Sequence, residues 1–231
     1  MSQTKTIPVI AVDGPGGAGK GTVSRSVADR LGWHYLDSGA LYRVAGYAVV
    51  RDGLDHASPE ELGKFVSKLD IGFRTGANNT EQVLLDDVDL GGEIRTEAAG
   101  KAASAIATVP EVRKALIKLQ RLFRRRPGLV ADGRDMGTVL FPDASLKIYL
   151  TASATERALR RHKQLKDKGI DGSLAALLAD IISRDRRDAQ RVVAPLKPAF
   201  DAVCIETTGI PVEVVVRQVL VLAREVFGTA T

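Results

Sequence analysis

The run Asp13-Gly-Pro-Gly-Gly-Ala-Gly-Lys-Gly-Thr22 has the composition of a loop that binds phosphate groups. Glycines leave room for consecutive backbone N–H groups to converge on an anion, and a lysine can reach the outer phosphates of a nucleoside triphosphate. The usual pattern places Ser or Thr directly after the lysine, but here Gly21 occupies that position and Thr22 follows one residue later. Without that hydroxyl, we expect Mg²⁺ to be held mainly by phosphate oxygens and water. The residues predicted to form this loop are Gly14, Pro15, Gly16, Gly17, Ala18, Gly19, Lys20, Gly21 and Thr22.

Three further segments could build a second anion site because each contains arginine beside acidic or small polar residues. They are Leu36-Asp-Ser-Gly-Ala-Leu-Tyr-Arg43, Ala131-Asp-Gly-Arg-Asp-Met-Gly137 and Arg184-Asp-Arg-Arg-Asp-Ala-Gln-Arg191. In the third segment, Arg184, Asp188 and Arg191 are spaced by four and three residues, which places them on one face of a helix.

An arginine side chain suits an acceptor phosphate because its planar guanidinium binds two phosphate oxygens at once. Arg43, Arg134 and Arg191 come from different elements and could converge on one phosphate. A surface ion pair is the alternative for each of them, and it applies most directly to Arg191 because Asp188 lies on the same helix.

The elements that position these segments alternate between strand and helix. Apolar runs rich in β-branched residues predict buried parallel strands at 7–12, 34–36, 128–132, 146–150 and 202–206. Helices are predicted at 22–31, 173–188 and 211–226, and one more from Ser153, which forms a capping box with Glu156. The glycine run therefore lies between a strand and a helix, as a phosphate loop requires.

One region departs from that alternation. Between residues 55 and 92 we predict a helix beginning at Ser58 and two short strands at 70–74 and 82–90, with a turn cluster at 76–79 between the strands. This pattern indicates an antiparallel insert in an α/β chain.

Composition limits the classes of protein. The chain has 45% hydrophobic and 26% charged residues and a formal net charge of +5, which suits a soluble protein with an anionic partner. The single cysteine, Cys204, excludes an internal disulfide and a cysteine-based metal site. No apolar run reaches membrane-spanning length. We therefore expect a cytoplasmic protein, and we predict a monomer without membrane or nucleic-acid partners.

Taken together, the motifs resemble those of bacterial-type cytidylate kinases, which belong to the P-loop nucleoside monophosphate kinases. The resemblance extends from about residue 7 to residue 226 and rests on DGPGGAGKGT, LDSGALYR, GGEIRTE, LVADGRDMGTVLFPDA, KIYLTAS and RDRRDAQRVVAPL. The shifted hydroxyl fits this resemblance, because Gly-Lys-Gly-Thr is the variant seen in nucleoside monophosphate kinases. The resemblance implies that the γ-phosphoryl group of ATP is transferred to CMP or dCMP.

The resemblance also implies an α/β fold with a P-loop doubly wound parallel sheet core. An enlarged nucleoside-monophosphate-binding insert would contain a small antiparallel sheet, and a short helical lid would follow. The implied domain bounds are 1–38, 109–153 and 189–231 for the core, 39–108 for the insert and 154–188 for the lid.

Roles for individual residues follow from the same resemblance. Lys20, Arg134, Arg184 and Asp132 would be catalytic, with Asp132 orienting a magnesium-bound water or serving only as a turn residue. Arg157 and Arg161 would bind ATP, and no side chain would ligate metal directly. The acceptor nucleotide would contact Ser38, Arg43, Ser104, Arg113, Arg134, Asp135, Asp188 and Arg191.

Within this set, Arg113, Asp135 and Ser104 are expected at the base. Cytosine presents an amine donor beside two acceptors, so an acidic side chain can accept from the amine while arginine donates to the acceptors. Ser104 has a simpler alternative role, as a small packing residue in an alanine-rich run.

The residues alone are also compatible with three other functions. The chain could be a P-loop kinase for another small acceptor, such as UMP or shikimate, and a substrate panel would distinguish it. It could also be a basic nucleic-acid-binding protein, although aromatic residues are only 5% and stacking platforms are therefore few. A nucleotide-sensing switch without transfer activity is the third alternative.

Overall fold

The computed structural model describes residues 6–75, 81–167, 169–191 and 193–228. The chain divides into two compact units, one made of the residues up to Leu36 and from Phe123 onward, the other of Asp37–Leu122. We call the first the sheet unit and the second the insert unit. The implied domain bounds, including the separate lid at 154–188, stay a prediction.

The elements follow one another in an order that is mostly strand, then helix. They are β1 (Val9–Asp13), α1 (Lys20–Leu31), β2 (His34–Asp37), α2 (Ser38–Arg51), α3 (Pro59–Val66), β3 (Ile71–Thr75), β4 (Glu81–Leu85), β5 (Val88–Asp89), α4 (Glu97–Ile106), α5 (Pro110–Arg121), β6 (Leu129–Asp132), β7 (Leu146–Thr151), α6 (Ala154–Lys166), α7 (Leu174–Gln190), β8 (Val203–Glu206) and α8 (Val212–Phe227). A 3-10 turn spans Glu93–Arg95 and a π-helical turn spans Met136–Leu140.

The sheet unit is built on five strands in the order β2-β6-β1-β7-β8, with β1 parallel to both β6 and β7. Every residue of β1 is buried, which explains why its sequence is continuously apolar up to Asp13. Valines of α1 and α8, among them Val27 and Val219, pack into the same core as the strands. This parallel α/β arrangement confirms the predicted fold class and brings the carboxyl ends of β1, β6 and β7 to one edge.

The insert unit holds α2–α5 and a three-stranded sheet in the order β3-β4-β5, with antiparallel pairing. The predicted antiparallel insert is therefore confirmed, whereas a single strand over 82–90 is wrong. Asp86 and Asp87 have φ values of 51° and 65°, and they turn the chain between β4 and β5. Short acidic side chains tolerate this left-handed backbone better than most, which permits the tight turn. The predicted turn cluster at 76–79 lies outside the described residues.

Helix caps follow the sequence closely. Ser58 and Glu61 form a capping box at the start of α3. Ser153 caps α6 as predicted, but the second half of its capping box is wrong because the Ser153 N–H donates to Thr208 Oγ1 at 2.9 Å and not to the Glu156 carboxylate. The sequence pattern gave no bounds for helices α4 and α5. Among the described residues, no helix is long and apolar enough to cross a membrane.

Candidate active site

The glycine run forms the connection between β1 and α1. Gly14 has a φ of 145°, and a Cβ at this position would lie 2.0 Å from the Leu150 carbonyl oxygen on β7, so only glycine fits. The helix begins behind Gly19, which contributes no capping side chain. The buried Lys20 side chain folds back over the loop, where its Nζ donates to the Pro15 carbonyl oxygen at 3.0 Å. Loop, helix start and lysine thus have the arrangement expected for a triphosphate site.

The space beside Gly21 is taken by a side-chain pair. Tyr35 Oη donates to Asp132 Oδ2 at 2.7 Å, and a Cβ on Gly21 would lie 3.5 Å from that carboxylate oxygen and 3.6 Å from the phenol oxygen. Asp132 is buried at the carboxyl end of β6. A carboxylate from β6 and a phenol from β2 therefore lie next to the position where the usual pattern has a hydroxyl residue. Sequence reasoning predicted Asp132 but missed Tyr35.

A second group of charges lies over the loop. Arg134 Nε donates to Asp188 Oδ2 at 3.0 Å, and Arg191 Nη2 donates to the other oxygen of the same carboxylate. The Asp188 side chain is only 2% exposed. Arg134 Nη2 and Arg184 Nη1 lie 3.4 and 3.8 Å from the point that a Cβ on Gly16 would occupy. The structure thus brings Arg134, Asp188 and Arg191 together as one guanidinium cluster.

Arg157, predicted to bind ATP, is buried and holds protein groups. Its Nε donates to the Ala152 carbonyl oxygen at 3.0 Å, its Nη1 donates to the Gly16 carbonyl oxygen at 3.1 Å, and both Nη atoms bond the Asp185 carboxylate. Arg157 therefore connects the loop to α7. Arg161 lies one turn further along α6 and is partly exposed. Contact of either arginine with ATP stays a prediction.

Sequence reasoning missed three residues that lie in or beside the loop and make hydrogen bonds there. Thr207 Oγ1 is within hydrogen-bonding distance of the Ala18 carbonyl oxygen at 3.2 Å, and Arg160 Nη2 donates to the Thr207 carbonyl oxygen at 2.6 Å. The Asp13 carboxylate accepts from the backbone N–H groups of Met136 and Gly137, both at 2.8 Å. Only Asp13 carried a sequence signal, because it directly precedes the glycine run.

Burial gives Asp13 an unusual ionisation. Its removal from water raises the pKa of the Asp13 carboxyl to about 6, although the two backbone N–H groups favour the charged form. Burial also raises the pKa of the neighbouring Tyr149 phenol, and the negative charge of Asp13 adds to that effect.

In the insert unit, two residues predicted for the acceptor lie at or beside α4. Arg43 Nη1 donates to the Ile94 carbonyl oxygen at 2.9 Å and lies 3.6 Å from the Cβ position of Gly100. Ser104 Oγ donates to the Gly100 carbonyl oxygen at 3.0 Å. Ser38, in contrast, is buried at the start of α2.

The two remaining acceptor candidates are both buried. Arg113 belongs to α5 of the insert unit, and Asp135 follows β6 in the sheet unit. Their contacts with a base stay a prediction.

A parallel sheet whose first strand leads into a glycine loop and a buried lysine defines a P-loop phosphate-binding protein. The family model described as "Cytidylate kinase" matches residues 10–225. The chain belongs to the cytidylate kinase family, which confirms the resemblance predicted from the motifs.

Curated relatives agree with the family model. A cytidylate kinase of Klebsiella pneumoniae (strain 342) is 50% identical over 227 residues, covering 98% of this chain and 100% of the relative. Cytidylate kinases of Methylococcus capsulatus (strain ATCC 33009 / NCIMB 11132 / Bath) and Pseudomonas aeruginosa (strain UCBPP-PA14) are 53% and 52% identical, covering 92% and 93% of this chain and 95% and 94% of the relatives.

Among solved structures, the crystal structure of an uncharacterized protein from Eubacterium ventriosum ATCC 27560 is similar with a TM-score of 0.51 and 12% identity. The match covers 94% of this chain and 98% of that chain, and it concerns the fold alone.

Proposed function

We propose that this chain transfers the γ-phosphoryl group of ATP to CMP or dCMP, producing ADP and CDP or dCDP. The observation that carries the proposal is the pairing of two kinds of anion site within the sheet unit. The first site is the glycine loop with its buried lysine, and the second is the guanidinium cluster. Nη2 of Arg134 in the cluster lies 3.4 Å from the point that a Cβ on Gly16 of the loop would occupy. A phosphoryl donor and a phosphate acceptor need two such sites, whereas a simple nucleotide-binding protein needs one.

The proposed mechanism needs no protein nucleophile. An oxygen of the acceptor phosphate forms the new bond to phosphorus, while the bond to the bridging oxygen of ADP breaks. Lys20, Arg134 and Arg184 would stabilise the charge on the moving phosphoryl group, because each is placed at or over the loop. Loop amides would hold the donor, and alignment of the two substrates would supply much of the rate.

Magnesium fits the residues beside the loop. Asp132 offers a buried carboxylate next to Gly21, and Mg²⁺ accepts one such carboxylate together with water and phosphate oxygens. Within the described residues, no group of three or more His, Cys, Asp or Glu side chains is arranged to hold a metal ion. We therefore propose that Asp132 holds a water ligand of the ion. When bound, Mg²⁺ neutralises charge on the phosphate oxygens.

For the acceptor, we propose that Arg43, Arg134 and Arg191 bind the phosphate of CMP. Ser38 would lie on the same side of the site, and Asp188 and Arg184 would face the sugar or the transferring phosphoryl group. The base would be contacted by Ser104, Arg113 and Asp135. This set includes a buried acid and a buried arginine, Asp135 and Arg113, which match the donor and acceptors of cytosine.

A coupled assay of ADP release, with ATP, Mg²⁺ and each of CMP, dCMP, UMP and AMP, tests the proposal. We expect turnover with CMP and dCMP and at least tenfold lower kcat/KM with UMP, because uracil reverses the donor and acceptor groups that Asp135 and Arg113 would meet. Lys20→Ala serves as the inactive control preparation. Turnover restricted to another acceptor would replace the proposal, and salt-sensitive nucleic-acid binding without turnover would favour the basic-protein alternative.

A further inference from the structure

The side chain of Asp13 holds a neighbouring segment by two backbone hydrogen bonds. Asp13 is the last residue of β1 and is 3% exposed. Its Oδ1 accepts from the N–H of Met136 and its Oδ2 from the N–H of Gly137, each at 2.8 Å. One carboxylate thus serves two consecutive N–H groups at the start of the π-helical turn.

The held segment bears Arg134, which belongs to the guanidinium cluster and lies beside Gly16 of the loop. At its other end, the N–H of Gly133 donates to the Val12 carbonyl oxygen at 3.0 Å. Residues 133–137 are therefore attached at both ends to the last two residues of β1. Arg134 lies between the attachments, with Nη2 3.4 Å from the Cβ position of Gly16 and Nε bonded to Asp188.

The segment has little room to shift against this attachment. A Cβ at Gly137 would lie 3.0 Å from Cδ of Lys147 and 3.5 Å from Oδ2 of Asp13, so the backbone of the turn packs directly on β7 and on the carboxylate. Because no empty space surrounds the turn, a substitution of Asp13 should shift the backbone of the 133–137 segment.

A carboxylate is chemically required for both bonds. An amide of the same size has one acceptor oxygen, and its NH₂ group would face the second backbone N–H. The groups facing Asp13 are Asp135 from the held segment, Lys20 from α1 and Tyr149 from β7. Asp135 disfavours the charged form of Asp13 and Lys20 favours it. Asp13 is thus an acid in a place where burial opposes its charge.

We propose that Asp13 is a positioning residue, whose carboxylate fixes the 133–137 segment so that Arg134 is held over the phosphate loop to receive the acceptor phosphate. The inference rests on the proposed function for the identity of the acceptor. Its structural part, the attachment of Met136 and Gly137, is independent of the substrate.

Asp13→Asn tests the kinetic consequence. We expect the KM for CMP to rise on the order of tenfold, because one of two charge-assisted bonds is lost and Arg134 is less well placed. The KM for ATP should change by less than about threefold, since the loop amides do not depend on the lost bond. Asp143→Asn is the matched control, because Asp143 is an exposed acid that pairs with Arg124 and lies in the loop after the same turn. It should leave both KM values unchanged.

An NMR titration of the unsubstituted protein tests the attachment without any substrate. The amide proton shifts of Met136 and Gly137 should titrate together near pH 6, because their acceptor becomes protonated. In Asp13→Asn both shifts should stay flat over that range, and circular dichroism would verify that the variant is folded.

Two results would overturn the proposal. One is the absence of a shared titration of the Met136 and Gly137 amides in the unsubstituted protein. Because this measurement needs no variant, it still tests the proposal if Asp13→Asn fails to fold. The other is an equal rise of KM for ATP and for the acceptor. If CMP is not a substrate, the proposed function fails, while the titration still tests Asp13 and the KM comparison is made with the acceptor found by the panel.

Discussion

The phosphate loop and the guanidinium cluster present positive charge in different ways. The loop uses backbone N–H groups, the start of α1 and one lysine bonded to the Pro15 carbonyl oxygen. The cluster uses long side chains, and a single buried carboxylate, Asp188, orients both Arg134 and Arg191. A backbone site is fixed by the path of the chain, whereas a side-chain site depends on the residues that hold its arginines. The two regions should therefore respond differently to substitution.

Removing the lysine should produce the largest effect and act on the loop alone. In Lys20→Ala we expect kcat to fall roughly 10²- to 10³-fold, because the positive charge next to the donor phosphates stabilises the transition state most. The KM for CMP should change little. Steady-state kinetics with ATP and CMP measure both constants. Lys64→Ala, at an exposed position of α3, is the control, and unchanged turnover in Lys20→Ala would remove the lysine from the mechanism.

Weakening the carboxylate that orients the arginines should act on the acceptor side. Asp188→Asn keeps one acceptor oxygen but loses the charge between two guanidiniums. We expect the KM for CMP to rise about tenfold and the free energy of unfolding to fall by about 2 kcal/mol. Urea denaturation and kinetics check the two effects. Asp180→Asn, exposed on the same helix, should show neither effect, and a loss confined to ATP binding would contradict the assignment.

The pH dependence of the unfolding free energy should reveal the ionisation of Asp13, which links the loop to the segment that bears Arg134. Burial raises the pKa of Asp13 from 3.8 to about 6, so the folded protein binds its proton more tightly than the unfolded chain between these values. The contribution of Asp13 to the free energy of unfolding is fully present below pH 3.8 and is lost as the pH rises through 6. Relative to Asp13→Asn, the unsubstituted protein should gain about 2 kcal/mol in unfolding free energy on going from pH 7 to pH 4. Urea denaturation of both proteins at the two pH values measures this difference. An equal difference in unfolding free energy at pH 7 and pH 4 would contradict the raised pKa.

Restoring the usual loop hydroxyl should have the smallest effect. In Gly21→Ser the new Cβ would make ordinary contacts of 3.5 Å with Asp132 and 3.6 Å with Tyr35, so the loop should keep its path. We expect kcat within about threefold of the unsubstituted value, because backbone amides still hold the phosphates. A Mg²⁺ titration of turnover measures any change in metal requirement. A large loss of activity would show that the loop depends on its side chains more than its geometry suggests.

Much of the site was predictable because its signals are local. The glycine run between a buried strand and a helix located the loop, and the spacing of Asp188 and Arg191 placed both at the end of one helix. The capping serines at residues 58 and 153 were likewise visible, because a cap depends only on residues a few positions away. The insert sheet was predicted for the same reason.

The errors and omissions fall where the local sequence signal is misleading or weak. The break at Asp86 and Asp87 interrupts a run with the composition of a strand, because only a reversal of chain direction lets β5 pair with β4. Helix α4 begins at Glu97 and is rich in alanine, a strong helix former, yet its stripe of small residues gives a weak periodic signal.

The amino-acid sequence by itself determined the strand–loop–helix unit, the family and the residue types available for phosphate binding, since these depend on short-range pattern. Only the tertiary structure decided which partner each charged side chain bonds. Asp13 reaches Met136 across more than a hundred residues, Arg157 turns inward to Gly16, and Tyr35 meets Asp132 beside Gly21. Such pairings are set by the register of parallel strands and the packing of helices on them, which spacing along the chain does not encode.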